Sequence, residues 1–237
     1  MAGDPRLSVV IPCYNEEQRL PRTIEQIERF LDAKRDSYEI VLVDDGSSDG
    51  TRMIMDAAAE RNPAVRIEVL PHNRGKGRAL AVGVSVAKGA EILVTDADLS
   101  TPIDELDDLE AALAGGAGVA IASRALRGSR VEISQPFYRV LMGKTFNLLV
   151  QAVLLPGIWD TQCGFKLFRA DVAHEVFAAL STDGFAYDPE VLYRARRKGI
   201  KIVEVPVVWR NSAPTKVSAM SSSIDMFKHV LRVRFKG

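Results

Sequence analysis

The sequence predicts an α/β fold: a mainly parallel central sheet flanked by helices, closed by an amphipathic C-terminal helix. Three observations predict it. Short apolar runs alternate with amphipathic stretches, the pattern of consecutive βα units. Two of those runs, Ile40–Val43 and Ile92–Val94, end in aspartates. With 237 residues, the chain is long enough to bury one sizeable core.

Strands are expected near Leu7–Ile11, Glu39–Val43, Val65–Leu70, Glu91–Thr95 and Val119–Ala122. Between them fall helical patterns near Arg19–Leu31, Thr51–Arg61, Arg78–Ala87 and Ile103–Leu113. Asp49 is placed to cap the second helix, and Asn62-Pro63 to end it. Gly115-Gly116-Ala117-Gly118 breaks the fourth helix before the fifth strand. After Ser123 the texture changes. Arg124–Arg130 is basic and contains glycine, so it reads as a mobile loop. Phe137–Leu155 reads as an apolar helix, Phe165–Phe168 as a strand and Asp171–Leu180 as a helix. Pro189–Lys198 follows as a helix with proline near its start, then Ile200–Val208 as a late strand. The chain divides into residues 1–123, 124–220 and 221–237 within a single domain. In the last part Ile224, Phe227 and Leu231 recur at i, i+3 and i+7 among Lys228, His229, Arg232, Arg234 and Lys236.

Acidic and basic residues balance at 31 each, which does not support a nucleic-acid-binding surface of the whole chain. Cys13 and Cys163 have neither metal-ligand spacing nor a disulfide framework, as expected of a cytoplasmic, reduced protein. No apolar stretch reaches the length of a spanning helix, and Leu7–Ile11 is too short for a signal peptide.

The chemistry-bearing segments lie at strand ends, the edge where open α/β sheets bind ligands. Asp96 and Asp98 flank a single residue; on a strand they would face one side and address one divalent ion. A pair of turn-forming aspartates is the plain alternative, and the matching Asp44-Asp45 at a second strand end favours the ligand role. Ser100 either adds an oxygen or starts the helix that follows. After the first strand, Pro12-Cys13-Tyr14-Asn15-Glu16-Glu17 offers an aromatic ring and carboxylates to a nucleobase, or simply a proline turn with helix-start acids. Asn73-Arg74-Gly75-Lys76-Gly77-Arg78 is a glycine-rich basic turn before a helix, suited to phosphate approach or to solvation. It is neither a P-loop nor a dinucleotide fingerprint, since Leu70 and Leu80 occupy required glycine positions. The three histidines form no ligand spacing, and no Ser-His-Asp or Cys-His set can be assembled.

Taken together, Val9–Glu16, Asp44–Thr51, Asn73–Gly77 and Asp96-Ala97-Asp98 resemble family-2 inverting glycosyltransferases of the GT-A fold. Asp160–Phe168 and Phe185–Leu192 resemble dolichyl-phosphate glucosyltransferases, the latter with a less compact Phe-Asp-x-Glu pattern. The resemblance implies that Pro12, Tyr14, Glu16, Val43 and Asp45 line a nucleoside pocket. It implies that Asp96, Ala97 and Asp98 hold a diphosphate through Mg2+ or Mn2+, with Asp96 and Asp98 as the metal carboxylates and Asp98 the nearer one. Lys76 would assist there if it points inward. Arg124 and Arg139 would contact the acceptor phosphate, joined by Arg210 and Lys216. The last pair is similar to one in mannosyl-phosphate synthases, whereas Asp160–Phe168 is glucosyl-like.

The implied reaction is transfer of a hexose from a nucleotide sugar, UDP-glucose before GDP-mannose, to a polyprenyl or dolichyl phosphate. Such a phosphate is already largely dianionic near neutral pH and needs positioning rather than a base. A sugar hydroxyl would need one, and then Asp188 or Asp160 becomes the candidate. A soluble acceptor and a non-catalytic nucleotide-sugar-binding module remain the alternatives. The basic amphipathic C-terminal stretch fits peripheral contact with the cytoplasmic membrane face, or equally a helix packed on the domain.

Overall fold

A computed structural model describes residues 4–34, 37–133, 137–210 and 229–235. The strands are β1 (Leu7–Cys13), β2 (Tyr38–Asp44), β3 (Val65–Val69), β4 (Glu91–Val94), β5 (Val119–Ser123), β6 (Arg130–Ile133), β7 (Lys166–Arg169), β8 (Ile202–Pro206) and β9 (Val208–Arg210). The helices are α1 (Leu20–Lys34), α2 (Thr51–Arg61), α3 (Lys76–Val86), α4 (Leu106–Ala114), α5 (Phe137–Val153), α6 (Ala170–Ala178) and α7 (Tyr187–Arg197).

Seven strands form one sheet in the order β3-β2-β1-β4-β7-β5-β8, and β6 with β9 forms a second, two-stranded sheet. The expected parallel sheet is present: β1 pairs in parallel with β2 and β4, β2 with β3, and β5 with β8. The exception is β7, which runs antiparallel between β4 and β5. Strand alternation fills both faces. Val9, Ile11, Ile40, Leu42 and Leu93 enter the core under α1 and α4, whereas Val10, Val41, Val43, Ile92 and Val94 enter the one that holds α3, α6 and α7 residues.

Several expected boundaries move, each for a physical reason. The strand expected over Ile200–Val208 is two, β8 and β9, which turn into different sheets at Val207. The loop expected over Arg124–Arg130 ends in β6, and its turn is tied back by Ser129 Oγ–H donating to the Ser123 carbonyl at 2.6 Å. Helix α7 begins at Tyr187, so Pro189 sits in its first turn, where a missing N–H leaves nothing unpaired. Asp49 does act at the start of α2, accepting the Thr51 N–H at 3.0 Å, although the capping position is Gly50. Residues 229–235 are helical and bury Val230 and Val233 against the α7 side of the core. Ile224 and Phe227 lie outside the described residues. No helix among the described residues is long and apolar enough to cross a membrane.

Candidate active site

The parallel register sets the C-terminal ends of β1, β2 and β4 side by side, with Cys13 opposite Asp44 and Val10 opposite Val94. Three loops leave this edge. In the first, Tyr14 is partly exposed, and Asn15 adopts a left-handed φ of 55°. Asn15 is held there by Ser47, whose Oγ accepts its N–H at 2.9 Å, and by the Ser48 N–H donated to its Oδ1 at 2.8 Å. Glu16 is gripped by both prongs of Arg19 at 2.7 and 2.8 Å. Burial pushes the Cys13 thiol far up and so keeps it unreactive. Asp45 accepts the Arg74 and Gly75 N–H groups at 2.7 and 2.8 Å and thereby ties the glycine-rich turn to β2. Its own carboxyl is held above the usual carboxylate range, because burial outweighs those two donors. Pro12 is half-buried beside Val43 on β2, and the Val43 side chain, expected to line a nucleoside pocket, is instead fully buried under α3.

The third loop carries Asp96 and Asp98. Strand β4 stops at Val94, so the two carboxylates are brought together by a turn and not by strand alternation. That turn closes with Leu99 N–H on the Asp96 carbonyl at 3.2 Å and places Leu99 at φ 43°, a strained conformation for a branched side chain. Ala97 is buried, and its carbonyl accepts Thr23 Oγ–H at 2.6 Å. Lys76, in the first turn of α3, pairs with Asp96 Oδ1. Burial alone would raise the Asp96 carboxyl; Lys76 outweighs it and holds it low. Asp98 is pushed up instead, by burial and then by Asp96, against the relief that the Ser100 N–H at 3.0 Å, the Ser100 side chain and Arg19 at 3.9 Å provide. The pair is thus one carboxylate answered by lysine and one short of positive charge.

Segments far along the chain complete the site. Arg124, just past β5, makes a fork with Asp160: Nε to Oδ2 at 2.7 Å and Nη2 to Oδ1 at 2.9 Å, while its backbone N–H adds a third bond at 2.9 Å. Its guanidinium lies 5.4 Å from the Trp209 ring centre. Glu204 anchors the same turn by accepting the Trp159 and Asp160 N–H groups at 2.8 and 2.9 Å. Gly164 passes so close to Asp96 that a Cβ there would fall 2.2 Å from Oδ2. Asp188 pairs with Lys166, a lysine that is fully buried on β7. Glu190, two residues further along α7, holds Ser181 and Thr182. Their neighbour Asp183 offers its carbonyl to the Arg78 N–H at 3.1 Å, and lies against Gly75, whose φ of 102° only glycine adopts readily.

Asp96, Asp98, Lys76, Arg124, Asp160 and Asp188 are therefore gathered around one edge, as their mutual electrostatic influence also shows. Arg210 stands apart on β9, where it pairs with Glu132 of β6 at 2.7 Å, although its N–H reaches the Ser100 carbonyl at 2.7 Å. Arg139 belongs to the first turn of α5, with its side chain outside the described residues, and Lys216 lies outside them altogether. Sequence reasoning did not single out Lys166, Gly164 or Glu190. The available signal was a lysine inside the apolar run Phe165–Phe168, where only a paired charge is tolerated.

Residues 8–177 match the family model described as glycosyl transferase family 2. The dolichyl-phosphate beta-glucosyltransferase of Dictyostelium discoideum is 36% identical over 242 residues, covering 97% of this chain and 74% of that protein. The protein of the same description from Homo sapiens is 35% identical over 244 residues, covering 98% and 75%. Among solved structures, glucosyl-3-phosphoglycerate synthase from Mycobacterium tuberculosis in complex with Mn2+, UDP and glucosyl-3-phosphoglycerate shares the fold. Its TM-score is 0.74 at 18% identity, over 97% of this chain and 80% of that one. With its mostly parallel sheet and acidic strand ends, the chain belongs to glycosyl transferase family 2 and is a glycosyltransferase of the GT-A fold.

Proposed function

We propose that the protein transfers glucose from UDP-glucose to a dolichyl or polyprenyl phosphate, inverting the anomeric centre. Relatives at 36% and 35% identity bear that acceptor and that sugar in their names. The observation that carries the reading is the state of the two carboxylates nearest to a base role. Asp160 is closed by the Arg124 fork and Asp188 by the Lys166 ammonium. Each would have to surrender a buried ion pair to accept a proton, whereas a phosphate acceptor asks for none. A hydroxyl acceptor is less well served by this arrangement.

Residue roles follow from position. Tyr14 and Glu16 flank the nucleoside end, and Lys76 with the first turn of α3 faces the diphosphate. Asp96 and Asp98 suit Mg2+ or Mn2+: two carboxylates beside a phosphate ligand are what such an ion uses, and Asp98 meets Arg19 at 3.9 Å, beyond hydrogen-bond reach. Among the described residues no group of three or more His, Cys, Asp or Glu side chains forms a protein-only cage. When bound, the ion neutralises charge on the departing diphosphate. Asp160 takes one edge of the Arg124 guanidinium, Nε and Nη2, and so holds the group with Nη1 left for an acceptor phosphate. Arg139, Arg210 and Lys216 are assigned to the same phosphate. A lipid acceptor calls for work at a membrane surface, which we assign to the cytoplasmic face; because Val230 and Val233 pack on the domain, the exposed Arg232 and Arg234 are the part of the C-terminal stretch left for peripheral contact.

The test is transfer of labelled glucose from UDP-glucose to a short polyprenyl phosphate with Mn2+. GDP-mannose serves as the rival donor and the unphosphorylated polyprenol as the rival acceptor. A β-linked glucosyl phosphate is expected. Equal transfer to the alcohol, or an α-linked product, would reject the reading.

A further inference from the structure

Lys166 is the least expected charge in this fold. It is fully buried at the start of a central strand, between Phe165 and Leu167. An ammonium tolerates such a place only when fully paired. Its Nζ donates to the Cys163 carbonyl and pairs with Asp188 Oδ1. Two chains of contact run from it to the Lys76–Asp96 pair. Through Cys163 the next residue is Gly164, whose backbone abuts the Asp96 carboxylate. Through Asp188 the preceding residue is Tyr187, whose buried ring lies 5.5 Å from Lys76 Nζ and whose Cβ would stand 2.9 Å from a Cβ on Gly77. Antiparallel pairing adds a third constraint, setting Lys166 opposite Val94, two residues before Asp96.

We propose that Lys166 and Asp188 form a buried positioning pair that locks the Lys76–Asp96 geometry from both sides. Asp188 is then an anchor, not a proton acceptor. The inference rests on reading Lys76 and Asp96 as the diphosphate end of the site. The acceptor does not enter it.

The test compares wild type with the double variant Lys166→Met, Asp188→Leu in the full chain. Binding of UDP with Mn2+ is read by calorimetry, unfolding by circular dichroism and turnover by glucose transfer. Replacing a buried ion pair by apolar groups of similar volume is often neutral for folding, so a cooperative transition is expected. UDP–Mn2+ affinity is expected to drop about tenfold and kcat about a hundredfold. Unchanged affinity and kcat would overturn the proposal. Asp188→Asn supplies an independent arm that keeps the shape of the side chain. An anchor predicts a pH–rate profile lowered by one factor throughout, with its acid limb intact. Disappearance of that limb would identify Asp188 as a base and overturn the proposal. UDP binding does not depend on what accepts the sugar, so failure of the phosphate-acceptor reading would leave the calorimetric result meaningful.

Discussion

The stretch up to Ser123 and the stretch beyond it solve different problems with different charges. The first repeats strand and helix and delivers acids at the ends of β2 and β4: Asp44 and Asp45 are buried, whereas the Asp96 and Asp98 side chains keep part of their surface open. The second breaks the repeat with the antiparallel β7 and the small β6–β9 sheet. It also buries three carboxylates in ion pairs: Asp160 with Arg124, Asp188 with Lys166, Glu190 with Arg194. Open carboxylates are free to meet a ligand. Buried pairs have already spent their interaction on each other and act by holding neighbours still.

This contrast has measurable consequences. The largest belongs to the open acids. Asp98→Ala is expected to lower kcat about a thousandfold or more while leaving the melting curve intact, since it also removes the repulsion from Asp96. Parallel turnover and unfolding measurements check it; loss of the fold would mean that Asp98 belongs with the buried pairs. Next is Gly164→Ala. Its Cβ would fall 2.2 Å from Asp96 Oδ2, so the carboxylate must leave the position in which it meets Lys76. A loss of about one to two orders of magnitude in kcat/KM for the nucleotide sugar is expected, with little change in acceptor KM. Steady-state kinetics with each substrate varied would show whether the damage crosses to the acceptor.

The third effect is on stability. Burial would raise the Glu190 carboxyl, but Thr182, Ser181 and Arg194 outweigh it and leave it below the usual glutamate range. Its contribution is therefore present above the unfolded-state glutamate pKa and is lost as pH falls through the lower folded-state value. Glu190→Gln should cost roughly 2 kcal/mol near neutral pH. It should also flatten the loss of stability below the ordinary glutamate pKa, as read by denaturant unfolding across acidic pH. The smallest effect is expected from Arg210→Ala. Its partner Glu132 is solvent-exposed, so the thermal midpoint should not move measurably. A rise in KM for polyprenyl phosphate is expected from its assignment to the acceptor; no change would make Arg210 a surface pair and withdraw that assignment.

Much of the first stretch was legible because its signals are local. Ile40–Val43 and Ile92–Val94 announce buried strands, and Asp44-Asp45 and Asp96-Ala97-Asp98 mark their ends. Asn73–Arg78 likewise reads as a glycine turn before a helix, and α3 begins at Lys76. The second stretch was less legible. Phe165–Phe168 reads as a strand, but nothing in four residues states that it runs antiparallel between β4 and β5. Ile200–Val208 reads as one strand because apolar character does not report the bend at Val207 that sends β9 to Arg130–Ile133.

The sequence by itself determined the layered α/β class, the acidic strand ends and the family, because hydrophobic period and short motifs are properties of neighbouring residues. Tertiary structure alone decided strand direction and order, the turn that joins Asp96 to Asp98, and the partners of Lys166, Asp188 and Arg124. Strand order and the ion pairs depend on residues far apart in sequence: 78 positions for Glu91 opposite Arg169, and 22 for Lys166 with Asp188 and 36 for Arg124 with Asp160, two pairs meeting where water is excluded. A charge in such a place is tolerated only if the fold supplies its opposite.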